Sequence, residues 1–199
     1  MVKIMLYIEG GGESHKQDIE FRAAWREFFS KLGLKRMPGT FRGSSRNEAF
    51  QAYCNAVKTR GRDELPLLLV DSEDLVTTGP DVWDHLEARD NWTKPARAGD
   101  KDAYLMICCM ETWFIADRDG LNKFFPGLVE RHLRNWPDLE QVPKPAVFAA
   151  LKSATARCRR AYSKGDVSFE LLSEISPAAV EQRCSAARLL LDRLRKLLK

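Results

Sequence analysis

The sequence predicts an α/β fold: about four mostly parallel strands with flanking helices, followed by a helical C-terminal part. Two observations lead there. Four short apolar runs are each followed by a segment of helical period, the alternation that builds a parallel sheet. The run at residues 66–70 (PLLLV) is continuous rather than alternating, as in a strand buried on both faces. Three of the four runs also end in carboxylates, namely Glu9, Asp71 with Glu73, and Glu111. Open parallel sheets bind ligands at the carboxyl ends of their strands, where those acids fall.

Residues 2–8 (VKIMLYI) form the first strand-like run, and Glu9-Gly10-Gly11-Gly12-Glu13 follows at once. The glycines fit neither phosphate-binding fingerprint, and a glutamate at each end would repel phosphate. The loop reads better as a holder of carboxylates, although Glu13 would also favour the start of the next helix. Ser14 to Gln17 is a capping box, and Ile19, Ala23, Trp25, Phe28, Phe29 and Leu32 give the helix behind it an apolar face before Gly33 ends it. A second, less apolar strand is expected over residues 36–41. Ser45 to Glu48 then opens a helix that ends at Gly61. Arg42 and Arg46 bracket its Gly-Ser-Ser turn, so both are candidate phosphate contacts at a helix N-terminus.

The third strand leads into Asp71-Ser72-Glu73-Asp74. In extended backbone Asp71 and Glu73 would project to one side. Two carboxylates that close repel unless a cation or shared proton intervenes, and hard oxygen donors suit Mg²⁺ or Mn²⁺. A short helix over 80–88 and a polar loop over 90–102, the best candidate for mobility, come next. Residues 104–110 form the fourth expected strand with Glu111 at its end. Asp117, beside Asp119-Gly120, reads as a cap. The remainder reads as helices, including one over 145–162 and a terminal one with leucines on one face and Arg and Lys on the other, expected to pack with its charged face wet. The expected division is an α/β core over 1–125 and a helical extension over 126–199 packed on it as a single unit.

Composition is that of a soluble globular protein, 44% hydrophobic and 30% charged over 199 residues. Five cysteines without CxxC spacing argue against a disulfide framework or zinc site and for a reducing cytoplasm. No apolar run approaches membrane-spanning length and Met1 leads straight into a strand, so a cytoplasmic location without membrane association is expected. Charge is uneven. Residues 151–199 carry 11 Lys and Arg against 5 Asp and Glu, while the preceding 150 carry 21 against 23. A near-neutral body with a basic tail is compatible with nucleic-acid binding.

Glu9-Gly10 with Asp71-Ser72-Glu73 resembles the TOPRIM signature, a glutamate and a DxD pair that bind Mg²⁺, shared by topoisomerases, primases and overcoming-lysogenisation-defect nucleases. Glu73 departs from DxD by one methylene. The Glu9-x-x-x-Glu13 spacing resembles the two-metal nucleases in particular. Residues 7–13 (YIEGGGE), 42–46 (RGSSR), 68–74 (LLVDSED), 110–117 (METWFIAD), 162–164 (YSK) and 175–184 are similar to the TOPRIM-like bacterial domain-of-unknown-function family 4276.

The resemblance implies a metal-dependent phosphodiester-cleaving site that uses Mg²⁺ or Mn²⁺. Its ligands would be Glu9, Glu13, Asp71 and Glu73, with Glu9, Asp71 and Glu73 catalytic. The residues themselves add Glu111, at the strand-to-helix junction, as a further candidate ligand, and Lys164, in the turn after Tyr162, as the candidate to neutralise charge that develops on phosphate. It implies nucleic acid as partner, DNA before RNA, and an ATPase protein alongside in phage defence or mobile elements. Self-association into a homo-oligomer stays open. So do two other functions: a non-catalytic binding or regulatory subunit of the ATPase, and a phosphoryl- or nucleotidyl-transfer enzyme on a small substrate.

Overall fold

Ile4, Leu6 and Ile8 alternate along Lys3–Glu9 (β1) and are fully buried, which draws this strand into the middle of a sheet. The computed structural model describes residues 2–10, 14–77, 81–165 and 167–199. In it β1 pairs in parallel with Gly39–Gly43 (β2) on one side and Glu64–Asp71 (β3) on the other, and β3 pairs in parallel with Ala103–Met106 (β4). The sheet order is β2-β1-β3-β4. The chain steps outward from β1 to β2, then returns across β1 to β3 and continues to β4. That reversal makes the carboxyl ends of β1 and β3 a topological switch point, the crevice where doubly wound sheets take their ligands.

Right-handed crossovers put the first helix on one face and the next two on the other. His15–Ser30 (α1) starts at the expected capping box, with both Ser14 and Gln17 in their roles. Arg46–Thr59 (α2) and Val82–Asp90 (α3) share a face with Tyr7, for Tyr7 lies 6.2 Å from Tyr53 and Tyr53 lies 6.0 Å from Trp83. Glu111–Ala116 (α4) packs on α1, with Phe28 stacked on Trp113 at 5.7 Å.

The C-terminal part continues through Arg118–Phe124 (α5), two short 3-10 turns and Lys144–Thr155 (α6). Ser168–Glu174 (α7), Pro177–Arg183 (α8) and Ser185–Leu198 (α9) complete it. Helix α7 meets α1 through Phe169 and Phe21, 5.5 Å apart, and α9 lies on β4 with Leu190, Leu191 and Leu194 buried. The leucine face of α9 is thus a packed one. Its first turn is fixed by the buried Glu140, which accepts from the Ser185 and Ala186 amides at 2.9 Å each. Asp117 caps as expected, accepting from Gly120 N at 3.0 Å, and also takes the Ser176 amide at 2.7 Å.

Several boundaries differ from expectation. Strand β2 lies later than residues 36–41 because Pro38 has no amide for the ladder, and pairing with β1 carries it on to Gly43. Strand β4 stops at Met106, well before residue 110. Its neighbour β3 ends at Asp71, and the Cys108 amide, at φ +61°, turns to Ser72 Oγ at 2.7 Å instead. Helix α6 ends at Thr155 rather than 162, because Thr155 Oγ1 accepts the Tyr162 amide at 2.8 Å and reverses the chain. The loop over 90–102 is pinned: Trp92 is buried and stacks on Phe50 at 4.2 Å, and Arg97 donates to the Lys58 carbonyl at 2.7 Å.

Gly43 lets α2 approach the sheet. A Cβ there would meet the Ala49 backbone nitrogen at 2.5 Å, and backbone cannot step aside as a side chain would. Gly43→Ala is expected to cost about 1–3 kcal/mol, the usual range for overpacking, in a denaturant titration. Wild-type stability would show that α2 is free to shift.

Candidate metal centre

Strand β1 delivers Glu9 and strand β3 delivers Asp71 at its last residue, side by side at the switch point. Glu73 arrives differently. It lies beyond the strand at φ +66°, left-handed for a residue with a Cβ, so extended backbone is not what aims it. Such conformations cost about 1–3 kcal/mol and persist where surroundings enforce them. Here Ser72 Oγ donates to the Asp74 carbonyl at 2.6 Å, and buried His85 Nε2 contacts the Ser72 carbonyl at 3.0 Å. The result is one oxygen each from Glu9, Asp71 and Glu73, all within 4.8 Å of one another. Oxygens on opposite sides of one divalent cation, bonded at about 2.1–2.5 Å, are separated by about that much. The donor set is all carboxylate, so these residues fit a hard divalent ion.

Two cationic side chains hold the acids together. Arg46 donates from Nη1 to Glu9 at 3.4 Å and to the Asp71 carbonyl, and from Nη2 to Asp90 at 2.6 Å. Its guanidinium lies 4.8 Å from the Trp92 ring centroid. Lys144, first residue of α6, donates to Glu73 Oε2 at 2.6 Å and sits 3.6 Å from Asp71 Oδ2. Burial pushes Asp71 well above the usual carboxylate range, with Glu9 and Glu111 adding to it and Lys144 opposing. Burial raises Glu9 as well, against the nearby Arg46. Burial alone would lower Lys144, yet its hydrogen bond to Glu73 and the charge on Asp71 hold it above its ordinary value.

Glu111 does not join the three-way convergence. It is the first residue of α4 and only 2% exposed, and its Oε1 accepts from Tyr162 Oη at 2.6 Å. It does line the same cavity, about 270 Å³, as Glu9, Gln17, Asp71 and Lys164. Lys164 is exposed at the cavity edge, 5.5 Å from the Phe148 ring centroid. Glu13 lies outside the described residues. Arg42 is not at the cavity. Its side chain is 4% exposed, ion-paired with Asp18 at 2.6 Å, and packed where a Cβ on Gly10 would strike its Cγ at 2.4 Å. The N-terminus of α2, expected to take an anion, is occupied by Glu48, which accepts the Ser44 amide at 2.7 Å. A larger cleft of about 510 Å³ opens beside Lys3, Glu64 and Arg60, at the amino ends of the strands and away from these acids.

Lys144 and Tyr162 were not assigned roles from sequence. One signal existed for Lys144: a lysine in the first turn opposes the helix dipole, a cost of about 0.3–1 kcal/mol that an acidic partner offsets.

Fold and site together define an α/β protein with a doubly wound parallel sheet and a cation-receptive carboxylate centre at its switch point. Within that class, the family model described as "Domain of unknown function (DUF4276)" matches residues 8–195, and the chain belongs to that family. No curated protein and no solved structure matches the chain.

Proposed function

We propose that this protein is a TOPRIM-like, Mg²⁺- or Mn²⁺-dependent phosphodiesterase acting on nucleic acid. The observation that carries this reading is the convergence of Glu9, Asp71 and Glu73 at the sheet's switch point. A divalent ion bound there supplies Lewis-acid stabilisation of phosphate oxygens and a more acidic water.

The chain's own residues do the rest. Arg46 and Lys144 offset part of the carboxylate charge and fix where the acids point, so little reorganises when phosphate enters. Glu111, held by Tyr162, adds negative charge beside Asp71 and favours cation entry. Lys164, exposed at the cavity edge, is placed to meet a phosphate oxygen. An ATPase partner and a place in phage defence belong to the same proposal.

The test is cleavage of supercoiled, linear and single-stranded DNA, and of RNA, with Mg²⁺, Mn²⁺ or chelator, alongside calorimetric titration of Mn²⁺. Metal-dependent cleavage with chelator-sensitive binding is the expected result. Metal binding without cleavage of any substrate, with or without an ATPase partner, would replace it with the regulatory-subunit reading.

A further inference from the structure

On the outer side of α6, away from the acids, lies a second cavity of about 460 Å³. It is lined by Arg131, His132, Arg134, Trp136 and an alanine surface that includes Ala149. Among the described residues no acidic one lines it. The neighbouring Glu130 is engaged by Asn122. Among the described residues neither the Arg131 nor the Arg134 side chain has a carboxylate partner, and both residues are exposed. At 3.6 residues per turn, Ala149 and Ser153 fall on the side of α6 opposite Lys144, so this is a separate site and not an extension of the metal centre.

The cavity is held in shape. Arg134 has φ +46° and ψ 157°, a costly backbone conformation for a residue with a side chain. Arg118 grips the Arg134 carbonyl, and Arg183 donates to the Trp136 carbonyl at 2.8 Å. His132 donates from Nδ1 to the Ser153 carbonyl at 3.0 Å, which ties the segment to α6. Two unpaired guanidiniums beside a partly exposed indole combine phosphate attraction with a stacking surface, and the volume lies in the range of about 300–1,000 Å³ typical of ligand sites. Lys152, Arg157 and Arg159, near Ser153 in sequence, are exposed as well.

We propose that this cavity seats one unpaired base of a single-stranded nucleic acid against Trp136, with its flanking phosphates on Arg131 and Arg134. A base must leave its stack to enter a pocket, which a single strand allows and a duplex resists. The choice of nucleic acid over other anions rests on the phosphodiesterase reading, while the geometry of the site does not.

Binding of a fluorescent single-stranded oligonucleotide, measured by anisotropy in chelator, tests this with no cleavage in play. Arg131→Ala/Arg134→Ala should weaken binding about tenfold or more and flatten the log–log salt slope by about 1.4, two contacts at about 0.7 each. Trp136→Leu should weaken it about five- to hundredfold, and Trp136→Phe should restore most of it. A nucleoside monophosphate should compete only far above the oligonucleotide concentration. Equal binding by the double variant, with its melting curve unchanged, would overturn the proposal. So would equal preference for duplex, equal competition by the monophosphate, or no binding by wild type. Loss of binding in the cavity variants together with no cleavage under any metal would sink the phosphodiesterase reading and leave this site standing.

Discussion

Asp71→Asn is expected to melt at a higher temperature than wild type without metal at neutral pH, and to lose both metal-induced stabilisation and cleavage. Asp71 is buried among Glu9, Glu73 and Glu111, and ionising it there is unfavourable. Asparagine keeps the volume and still accepts the Met110 amide, which reaches Asp71 Oδ1 at 2.9 Å. Removing the charge therefore relieves repulsion without opening a cavity. The same change deletes a carboxylate ligand. Wild type at a metal concentration a hundredfold above Kd should gain about 2.7 kcal/mol, and the variant little of it. Cleavage should fall by more than about a hundredfold, since even outer-shell changes at metal sites cost about 10–100-fold. An Asp71→Asn protein that melts lower than wild type and still cuts would remove the metal centre.

This contrast carries a pH signature of definite sign. Asp71 and Glu9 have folded pKa values above their ordinary ones, so the metal-free fold binds more protons than the unfolded chain between the two values. Their contribution is fully present below the ordinary carboxylate range, near pH 4, and is lost as pH rises through the raised folded values. Metal-free wild type should therefore fall behind Asp71→Asn progressively from pH 4 upward. A melting difference that is flat with pH would show Asp71 ionising as freely in the fold as in solution.

Arg46→Met should be the most destabilising single change at the site. One guanidinium serves Glu9, Asp90 and the Asp71 carbonyl and lies over Trp92. The side chains of Arg46, Asp90 and Glu9 are 13%, 11% and 21% exposed, so screening is limited and the orphaned acids stay desolvated. Breaking such a network from one side costs about 3 kcal/mol or more. For a chain of this length that is a melting drop of about 6–12 °C. Arg46→Lys should rescue little, because an ammonium cannot present the planar fork to three acceptors. A drop below about 2 °C would mean that Arg46 does not hold the acids in place.

Local physics made much of this chain legible. Continuous apolar runs are the mark of strands buried on both faces, and capping residues such as Ser14 with Gln17 mark where helices begin. Four mostly parallel strands, and Glu9 and Asp71 at the exits of two of them, follow from these signals, and pairing makes the sheet parallel throughout. Boundaries set by neighbours were not legible: β4 stops at Met106 because β3 offers it no partner further on, and α6 stops at Thr155 because a side chain from its last turn captures the Tyr162 amide.

The site divides in the same way. Glu9 and Asp71 are placed by strands whose apolar character is written locally, and so their position at the rim could be read directly. Glu73 reaches the same point through a left-handed residue held by Ser72 and His85. Lys144 comes from 71 residues beyond Glu73 to pair with it, and Arg42, which looked like a phosphate contact, is drawn inward by Asp18. An ion pair depends on distance in space and on burial, and neither is encoded in the spacing of residues along the chain. Composition and periodicity accordingly specify which acids stand at the rim, while packing alone determines which cations neutralise them and which stay free to meet a ligand.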